Sequence, residues 1–362
     1  MLPRRRLFSF VVTALVICVF CATYDRHAVS TSLRTTTEQA APDDEASRIC
    51  KRHRFQPFLN PGARKVYDLF MIDTELDLLE IRLNTLDSVV DYFVIIESAQ
   101  SFTKVAKPLY VSENLGRFDK FKDKIILHVI DFTNFGNTSE WELESYSRNA
   151  LYTEVFPTLK DSQRPTHGDV ILLSDIDEIP KPETITFLKA CQFPERTTIE
   201  SNFYYYSFQW KHDGKRWLHP QATFFQGDRT ILPQDLRGSA GAQSRVIYDG
   251  AWHCSSCFST VAEVQKKLES FSHQEFNQPV FKDPAQIVRR FRNGVDIAER
   301  PLEKYSRIEN NRDLPSYLKD NPGKFPWFIS RDAPNANFLD FEGEGAKSLE
   351  EWVGPTPVVW PQ

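Results

Sequence analysis

Three carboxylates follow a short apolar run near the middle of this chain. The run 170–174 is rich in valine, isoleucine and leucine, and prolines follow at 180 and 182. A short apolar run bounded by such residues predicts a buried strand. Asp175 and Asp177 come directly after it, and side chains two positions apart on an extended segment point the same way. Two adjacent carboxylates are costly unless a cation lies between them, so the spacing predicts a Mg²⁺ or Mn²⁺ site. Glu178 adds a third carboxylate.

The chemistry of such a site depends on the coordination positions that it leaves open. A single aspartate after a strand is more typical of a turn, but three acidic residues after a buried strand favour a metal. A divalent ion held by two side chains keeps positions for water and substrate phosphates, where it acts as a Lewis acid on a departing diphosphate. The chain has no glycine-rich phosphate loop, which argues against a P-loop nucleotidase. A sugar nucleotide fits these features best.

Two other segments carry residues that could do chemistry. His253 is interpreted either as a further metal or diphosphate ligand or as an ordinary loop histidine. Cys254 and Cys257 favour a structural disulfide or two thiols over zinc, because two more ligands at suitable spacing are not evident. Glu144 and Arg148 stand four positions apart on a predicted helix, where they form a surface ion pair or direct Arg148 at the diphosphate.

Alternating strands and helices must position these side chains. Four short apolar segments predict buried strands at 66–72, 92–96, 125–130 and 170–174. A helix is predicted after the first strand, and a longer one at 140–159. This alternation predicts an α/β fold with a mostly parallel central sheet and helices on both faces. In such sheets, ligands bind at the carboxyl ends of the strands.

The second half of the chain is rich in aromatic residues and then in amphipathic helices. Residues 197–210 predict β-structure, with further strands at 222–225 and 245–248. Helices are predicted at 182–191, 261–271 and 284–293. The aromatic run from Phe203 to Trp210 is more typical of a sheet core than of a surface on which sugars stack.

The N-terminus has the features of a membrane anchor. Arg4, Arg5 and Arg6 precede an uncharged apolar run that ends near Ala22, which predicts a signal-anchor helix or, alternatively, a cleavable signal peptide. The predicted organisation is a cytosolic tail and signal-anchor helix at 1–24, a flexible stem at 25–64, a catalytic domain at 65–335 and a loose acidic tail with prolines at 336–362.

Composition narrows the class of protein further. The 362 residues carry a formal net charge of −5 and are 41% hydrophobic, which suits one large or two ordinary domains. No basic stripe stands out, so nucleic acid is not an expected partner. A body beyond the anchor would be lumenal, where disulfides persist. The sequence leaves open how the four cysteines of that body pair: Cys50, Cys191, Cys254 and Cys257.

Four ordered blocks of sequence, at 75–83, 87–98, 175–180 and 252–258, resemble glycosyltransferase family 17. The resemblance implies a GT-A-like fold with a single nucleotide-sugar-binding domain, UDP-GlcNAc as the donor, and Mn²⁺ (or Mg²⁺) held by Asp175 and Asp177. It implies inverting transfer of N-acetylglucosamine to a glycan acceptor, with a β-1,4 link to mannose of an N-linked glycan. It also implies a single-pass type II protein of the Golgi membrane, with its catalytic domain in the lumen.

The resemblance and the motifs together suggest roles for individual residues. Inversion needs one displacement and a general base on the acceptor hydroxyl, and Asp249 and Glu178 are the candidates for that base. The residues expected to bind the nucleotide sugar are Glu97, which would contact the uridine, Arg148, Asp175 and His253.

Three alternatives remain open from the sequence. A member of the same family could use another acceptor or another donor sugar. A haloacid-dehalogenase-like phosphohydrolase also carries Asp-x-Asp after a strand, but that motif normally opens the first strand, whereas a long α/β stretch precedes it here. A non-catalytic glycan-binding protein could use the aromatic strands.

Overall fold

The computed structural model describes residues 42–238 and 245–342, which form ten strands and eleven α-helices. The strands are β1 (Val66–Met71), β2 (Tyr92–Ser98), β3 (Ile125–Ile130), β4 (Val170–Leu173), β5 (Glu178–Pro180), β6 (Thr197–Tyr205), β7 (Ser207–His212), β8 (Gln221–Phe224), β9 (Arg245–Ser255) and β10 (Tyr305–Arg307). The helices are α1 (Pro42–Arg52), α2 (Leu76–Leu86), α3 (Tyr110–Glu113), α4 (Glu140–Thr153), α5 (Pro182–Ala190), α6 (Pro233–Gly238), α7 (Val261–Ser270), α8 (Pro279–Lys282), α9 (Pro284–Asn293), α10 (Ser316–Asp320) and α11 (Pro326–Ile329).

One mixed sheet runs through the described residues. Its order is β10-β7-β6-β8-β4-β1-β2-β3, and β9 pairs with β5 and β6 beside this path. The first four strands form parallel pairs, as predicted, and β9 runs parallel to β6. The other pairs are antiparallel, so the prediction of a mostly parallel sheet holds for the first half only. The single residue Tyr206 between β6 and β7 explains part of this, because a parallel crossover needs a dozen or more residues.

Alternating side chains of the parallel strands fill two hydrophobic cores. Val66 and Phe70 of β1 join the cluster that contains the leucines of α2, whereas Tyr67 and Leu69 join the cluster that contains Leu143 of α4. Helices therefore cover both faces of this part of the sheet, as predicted. The helix predicted at 140–159 is shorter than expected, since α4 ends at Thr153 ahead of a proline-containing turn.

A third core lies in the C-terminal part of the chain. Val261, Val264 and Leu268 of α7 pack in it together with Ile287 and Phe291 of α9, which confirms both predicted amphipathic helices. The apolar faces of α7 and α9 are buried in this core. The polar face of α7 is consequently available to the loops at the carboxyl ends of β1 and β2.

Residues 42–64 differ from the flexible stem that composition predicts. The first of them form α1, and Cys50 in that helix is bonded to Cys191 at the end of α5, with both cysteines fully buried. Arg64 donates hydrogen bonds to the carbonyl groups of Gly168, Leu188 and Cys191. A disulfide pairing is invisible in composition, which is why the polar sequence of this segment was misleading.

The beginning of the predicted loose tail is also packed. Ala336 and Phe338 are buried in the third core. The carboxylate of Asp340 accepts hydrogen bonds from the backbone N–H groups of Val261 and Ala262 at the start of α7. Residues 336–342 thus hold α7 in place, because a carboxylate satisfies N–H groups that a helix N-terminus leaves unpaired.

The predicted cytosolic tail and signal-anchor helix at 1–24 lie outside the described residues. Among the residues that are described, no helix is both long enough and apolar enough to cross a membrane.

Candidate active site

A buried arginine, Arg82, fixes the loop after β4 through several hydrogen bonds. Arg82 of α2 is fully buried and forms an ion pair with Asp68 of β1 at 2.6 Å. Its guanidinium group also donates hydrogen bonds to the carbonyl oxygens of Asp175 and Glu178, at 2.8 and 3.0 Å, and to the hydroxyl of Ser174 at 2.6 Å. One side chain therefore ties the acidic loop to β1, at the carboxyl edge of the parallel strands.

Two arginines from different elements hold Asp175. Nη2 of Arg237 in α6 lies 2.5 Å from Oδ2 of Asp175, and Nη2 of Arg148 in α4 lies 3.5 Å from Oδ1. Burial by itself would raise the pKa of Asp175, but the two guanidinium groups outweigh it and hold that pKa well below its usual range. Arg148 also bonds Glu144 at 2.7 Å, so the predicted ion pair exists and the same arginine reaches the acidic pair.

Glu178 is occupied by structural partners. It is fully buried, and its carboxylate accepts hydrogen bonds from Arg237 at 2.8 and 3.0 Å, from Nε1 of Trp217 at 2.6 Å and from the backbone N–H of Asp175 at 2.9 Å. Burial would raise the pKa of Glu178, and Arg237 lowers it below the usual range. A buried carboxylate with this many donors cannot meet an acceptor hydroxyl, so the geometry does not support the prediction that Glu178 is a base.

His253 lies beside Asp177 because of strand pairing. β9 runs antiparallel to β5 with His253 opposite Glu178, and Nε2 of His253 is 3.5 Å from Oδ2 of Asp177. Phe203 and Trp217 flank the imidazole, with ring centroids at 4.5 and 4.3 Å. Its Nδ1 atom is buried and has no hydrogen-bond partner among the described residues. His253 is thus a neighbour of the acidic pair rather than an ordinary loop histidine.

The cysteines next to His253 form a disulfide. Cys254 is bonded to Cys257, and the backbone N–H of Cys254 donates a hydrogen bond to the carbonyl of Asp177 at 3.0 Å. Of the two interpretations that the sequence allows, the structural disulfide is confirmed. It closes the end of β9 directly beside the acidic loop.

A lysine of α7 completes the basic surroundings of the acidic pair. Nζ of Lys267 lies 3.1 Å from Oε1 of Glu75, which is buried just after β1 and also accepts the backbone N–H groups of Asp73 and Thr74. Burial would lower the pKa of Lys267, but the carboxylates of Glu75 and Asp177 raise it above its usual range. The side chain therefore stays charged close to Asp177.

Sequence reasoning missed Arg237 and Lys267. Neither stands in a motif, and each reaches the site from an element far along the chain. The polar side of the amphipathic pattern at 261–271 was the only available signal for Lys267. Arg237, Arg148 and Lys267 are called the basic cluster below.

Glu97 does not join this site. It is buried, and its carboxylate accepts hydrogen bonds from the backbone N–H groups of Val111 and Ser112 at 2.9 Å each. It therefore satisfies N–H groups at the N-terminus of α3, and the uridine contact stays a prediction.

Asp249 lies further along β9. Its side chain is 68% exposed, and Oδ1 accepts hydrogen bonds from Lys181 at 2.5 Å and from Asn202 at 2.6 Å. Asp249 precedes His253 by four residues, at the irregularity where β9 shifts its register against β6, and its own φ angle is 52°. Its exposure leaves it accessible to a large acceptor, but it does not contact the acidic pair.

The donor set of the site fits a hard divalent cation. Asp175 and Asp177 supply carboxylate oxygens, which Mg²⁺ and Mn²⁺ prefer, and both side chains are partly exposed. Across residues 42–238 and 245–342, no group of three or more histidine, cysteine, aspartate or glutamate side chains is placed to hold a metal ion. An ion held by Asp175 and Asp177 alone would keep most of its coordination positions for water and substrate phosphates.

An acidic pair and a basic cluster at the carboxyl edge of an α/β sheet are typical of proteins that bind phosphate-bearing ligands. The sequence pattern of glycosyltransferase family 17 matches residues 4–339. The chain belongs to glycosyltransferase family 17, which confirms the resemblance of its four blocks.

Curated relatives of this chain carry one name. β-1,4-Mannosyl-glycoprotein 4-β-N-acetylglucosaminyltransferase of Rattus norvegicus is 27% identical over 242 residues, and the protein of the same name from Homo sapiens is 26% identical over 242 residues. Each alignment covers 59% of this chain and 44% of the relative. The match thus spans less than half the length of these relatives.

Two solved structures have a low likeness to this chain. A mannosyltransferase from Pyrobaculum calidifontis in complex with GDP-Man and Mn²⁺ is 12% identical, with a TM-score of 0.32, and the alignment covers 70% of each chain. The inositol-1-phosphate CTP transferase from T. maritima is 10% identical, with a TM-score of 0.30 over 54% of this chain and 89% of that chain. Scores of this size are too low to define a shared fold.

Proposed function

We propose that this chain is an inverting, metal-dependent glycosyltransferase that moves N-acetylglucosamine from UDP-GlcNAc to a glycan acceptor. The observation that supports it most is the pair Asp175 and Asp177 at the carboxyl edge of parallel strands, ringed by the basic cluster. Membership of the family supports sugar transfer, and the name of the curated relatives supports the identity of the sugar. We take the fold to be GT-A-like, with a single nucleotide-sugar-binding domain.

The residues of this site suit the departure of a diphosphate. Mn²⁺ or Mg²⁺ held by Asp175 and Asp177 would supply a Lewis acid for that leaving group. The basic cluster places positive charge where negative charge develops, and its cations are already oriented by carboxylate partners before substrate binds. His253 lies close enough to Asp177 to contact the same phosphates.

Inversion requires a base that is free to accept a proton from the acceptor. Of the two predicted bases, Glu178 is enclosed by Arg237 and Trp217, whereas the carboxylate of Asp249 is exposed. Asp249 is therefore the base that we retain. Hydrogen bonds from Lys181 and Asn202 orient its carboxylate.

The acceptor that we propose is mannose of an N-linked glycan, joined through a β-1,4 link. The name of the curated relatives supports it, although the matched region is only part of their length. A member of the family with another acceptor or donor sugar is the alternative, because loops that bind acceptors vary most among relatives.

The compartment that we propose is the Golgi, with the chain as a single-pass type II membrane protein. The arginines and apolar run near the N-terminus support an anchor with its body in the lumen. The two disulfides support the same assignment, since such bonds persist in oxidising compartments.

A donor screen with the full chain tests this proposal. UDP release is measured for a set of UDP-sugars with Mn²⁺ and an array of glycan acceptors, and the linkage of the product is read by NMR. We expect release from UDP-GlcNAc that requires an acceptor and stops when EDTA removes the metal. Release of inorganic phosphate instead would indicate a phosphohydrolase, and glycan binding without turnover would indicate a lectin-like protein.

A further inference from the structure

Arg237 occupies an unusual position between two carboxylates of the acidic loop. Its Nη2 atom lies 2.5 Å from Oδ2 of Asp175 and 3.0 Å from Oε1 of Glu178, and its Nη1 atom lies 2.8 Å from Oε2 of Glu178. Only 12% of the arginine side chain is exposed. A single guanidinium group thus bridges a fully buried carboxylate and a partly exposed one.

The two halves of this bridge differ in how easily they can be broken. Removing Arg237 from Glu178 would leave a buried carboxylate without its cation, which is strongly unfavourable. Asp175 is partly exposed, and another cation can replace the guanidinium group there. The contact with Glu178 is therefore permanent, and the contact with Asp175 is exchangeable.

The oxygens of Asp175 that face the arginines are the ones that a metal needs. Oδ2 is held by Arg237 at 2.5 Å, and Oδ1 lies 3.5 Å from Arg148. A divalent cation that approached Asp175 would meet the positive charge of Arg237 at close range, and that repulsion weakens metal binding. A metal ion and Arg237 would therefore compete for the Oδ2 atom of Asp175.

We propose that Arg237 is a positioning residue that exchanges with the metal on Asp175 while Glu178 keeps it at the site. This inference rests on the proposed function, because it takes Asp175 and Asp177 as the metal ligands. In the free protein Arg237 is the counterion of Asp175. With Asp175 serving a metal as ligand, Arg237 would stay bound to Glu178 and would have one N–H group free to donate to a bound anion.

The exchange assigns a role to Glu178, the third carboxylate of the acidic loop. Glu178 accepts both terminal nitrogens of Arg237 and is itself fixed by Trp217 and by the backbone N–H of Asp175. It acts through Arg237 and touches no substrate. A bidentate contact of this kind also sets the plane of the guanidinium group.

Metal binding and diphosphate binding should consequently be coupled. Without a nucleoside diphosphate, the charge of Arg237 beside Asp175 would keep the affinity for the metal low. A diphosphate neutralises both cations, so it raises the affinity for the metal, and the metal raises the affinity for the diphosphate by the same factor.

The test is a titration of the full chain with Mn²⁺, followed by the electron paramagnetic resonance signal of the free ion. We expect Arg237→Gln to bind Mn²⁺ at least about tenfold more tightly than the wild type when no nucleotide is present, because a nearby positive charge is gone. The matched control is Arg216→Gln, which removes an exposed arginine paired with Glu200 and should leave the affinity unchanged. Added UDP should tighten Mn²⁺ binding less in Arg237→Gln than in the wild type.

A double variant separates exchange from loss of folding. Arg237→Gln combined with Glu178→Gln leaves no unpaired buried charge and restores the local net charge, so tighter binding by this variant would reflect the freed oxygens of Asp175. Affinity equal to or below that of the wild type in both variants would overturn the exchange.

The proposed function can fail separately. If Asp175→Asn and the wild type bind Mn²⁺ equally, Asp175 is not a ligand and the metal assignment fails, and the exchange fails with it. If Asp175→Asn loses Mn²⁺ but Arg237→Gln binds no more tightly, the metal assignment survives and only the exchange is wrong.

Discussion

Arg82 connects the architecture of the sheet to the chemistry of the acidic loop. It is fully buried, its charge is balanced by Asp68, and its remaining hydrogen bonds go to Ser174 and to three carbonyl groups of the loop. The positions of Asp175 and Asp177 thus depend on a residue that cannot touch substrate. Comparable support comes from Glu178 through Arg237.

Replacing Arg82 tests this dependence. We expect Arg82→Met to lower the free energy of unfolding by about 3–5 kcal/mol, because it leaves Asp68 as an uncompensated buried charge. Arg216→Met, at an exposed ion pair, should change it by no more than about 0.5 kcal/mol. Denaturation by urea measures both, and equal effects of the two substitutions would contradict the account.

His219 should affect how stability depends on pH. Burial, and then the neighbouring Arg237, lower the pKa of His219, although Glu178 and Asp175 act in the opposite direction. Below the ordinary histidine value of about 6.5 the unfolded chain then binds the proton better than the folded one, so stability falls as pH falls.

The His219 prediction is checked by unfolding curves at several pH values. Between about pH 7 and about pH 5, we expect His219→Gln to lose less stability than the wild type, since the unfolded variant no longer gains a proton at this position. His167→Gln, which removes an exposed histidine, is the control and should follow the wild type. An identical pH dependence in all three proteins would show that His219 has no such effect.

At the scale of elements, the strands were predictable and the partners of the acidic loop were not. The parallel strands β1, β2 and β4 are buried on both faces, so their apolar runs stand out in the sequence. The strand predicted at 125–130 is present as β3, but it lies at the edge of the sheet and is half-buried rather than buried. Asp175 and Asp177 follow one of these runs and share its signal. α6 and α7 bring Arg237 and Lys267 from elements that are remote in sequence, and only tertiary packing reveals that these side chains converge. The partners of Glu97 were not predictable from the sequence either, since its carboxylate accepts N–H groups of α3.

The two disulfides should differ in their effect on stability. Cys50 and Cys191 are separated by 141 residues, whereas Cys254 and Cys257 are separated by 3. Loop-closure entropy then predicts a loss of up to about 5 kcal/mol for Cys50→Ser with Cys191→Ser, against about 2 kcal/mol for Cys254→Ser with Cys257→Ser. Denaturant unfolding of the two double variants measures the difference, and a larger loss from the short loop would contradict it.

At the scale of the whole molecule, three cores support one site. Two of them lie on opposite faces of the parallel strands, and the third carries α7 toward the carboxyl edge. Charged and polar contacts join α7 to the loops there, including Lys267 with Glu75 and Ser270 with Asp73. Charged and polar contacts of this kind, between α7 and the loops, suit a site for a charged substrate. The chain belongs to glycosyltransferase family 17, and this arrangement supports the sugar transfer that we propose for it.

We propose above that Asp175 and Asp177 support transfer of N-acetylglucosamine. The most direct measurement is mass spectrometry of an N-glycan acceptor after incubation with the full chain, UDP-GlcNAc and Mn²⁺. We predict that the wild type and the exposed control Asp119→Asn add one N-acetylhexosamine, and that Asp177→Asn does so about 10²–10³ times more slowly, because charge stabilisation in the transition state is lost. Undiminished transfer by Asp177→Asn, or no transfer by the wild type to any glycan, would contradict the account.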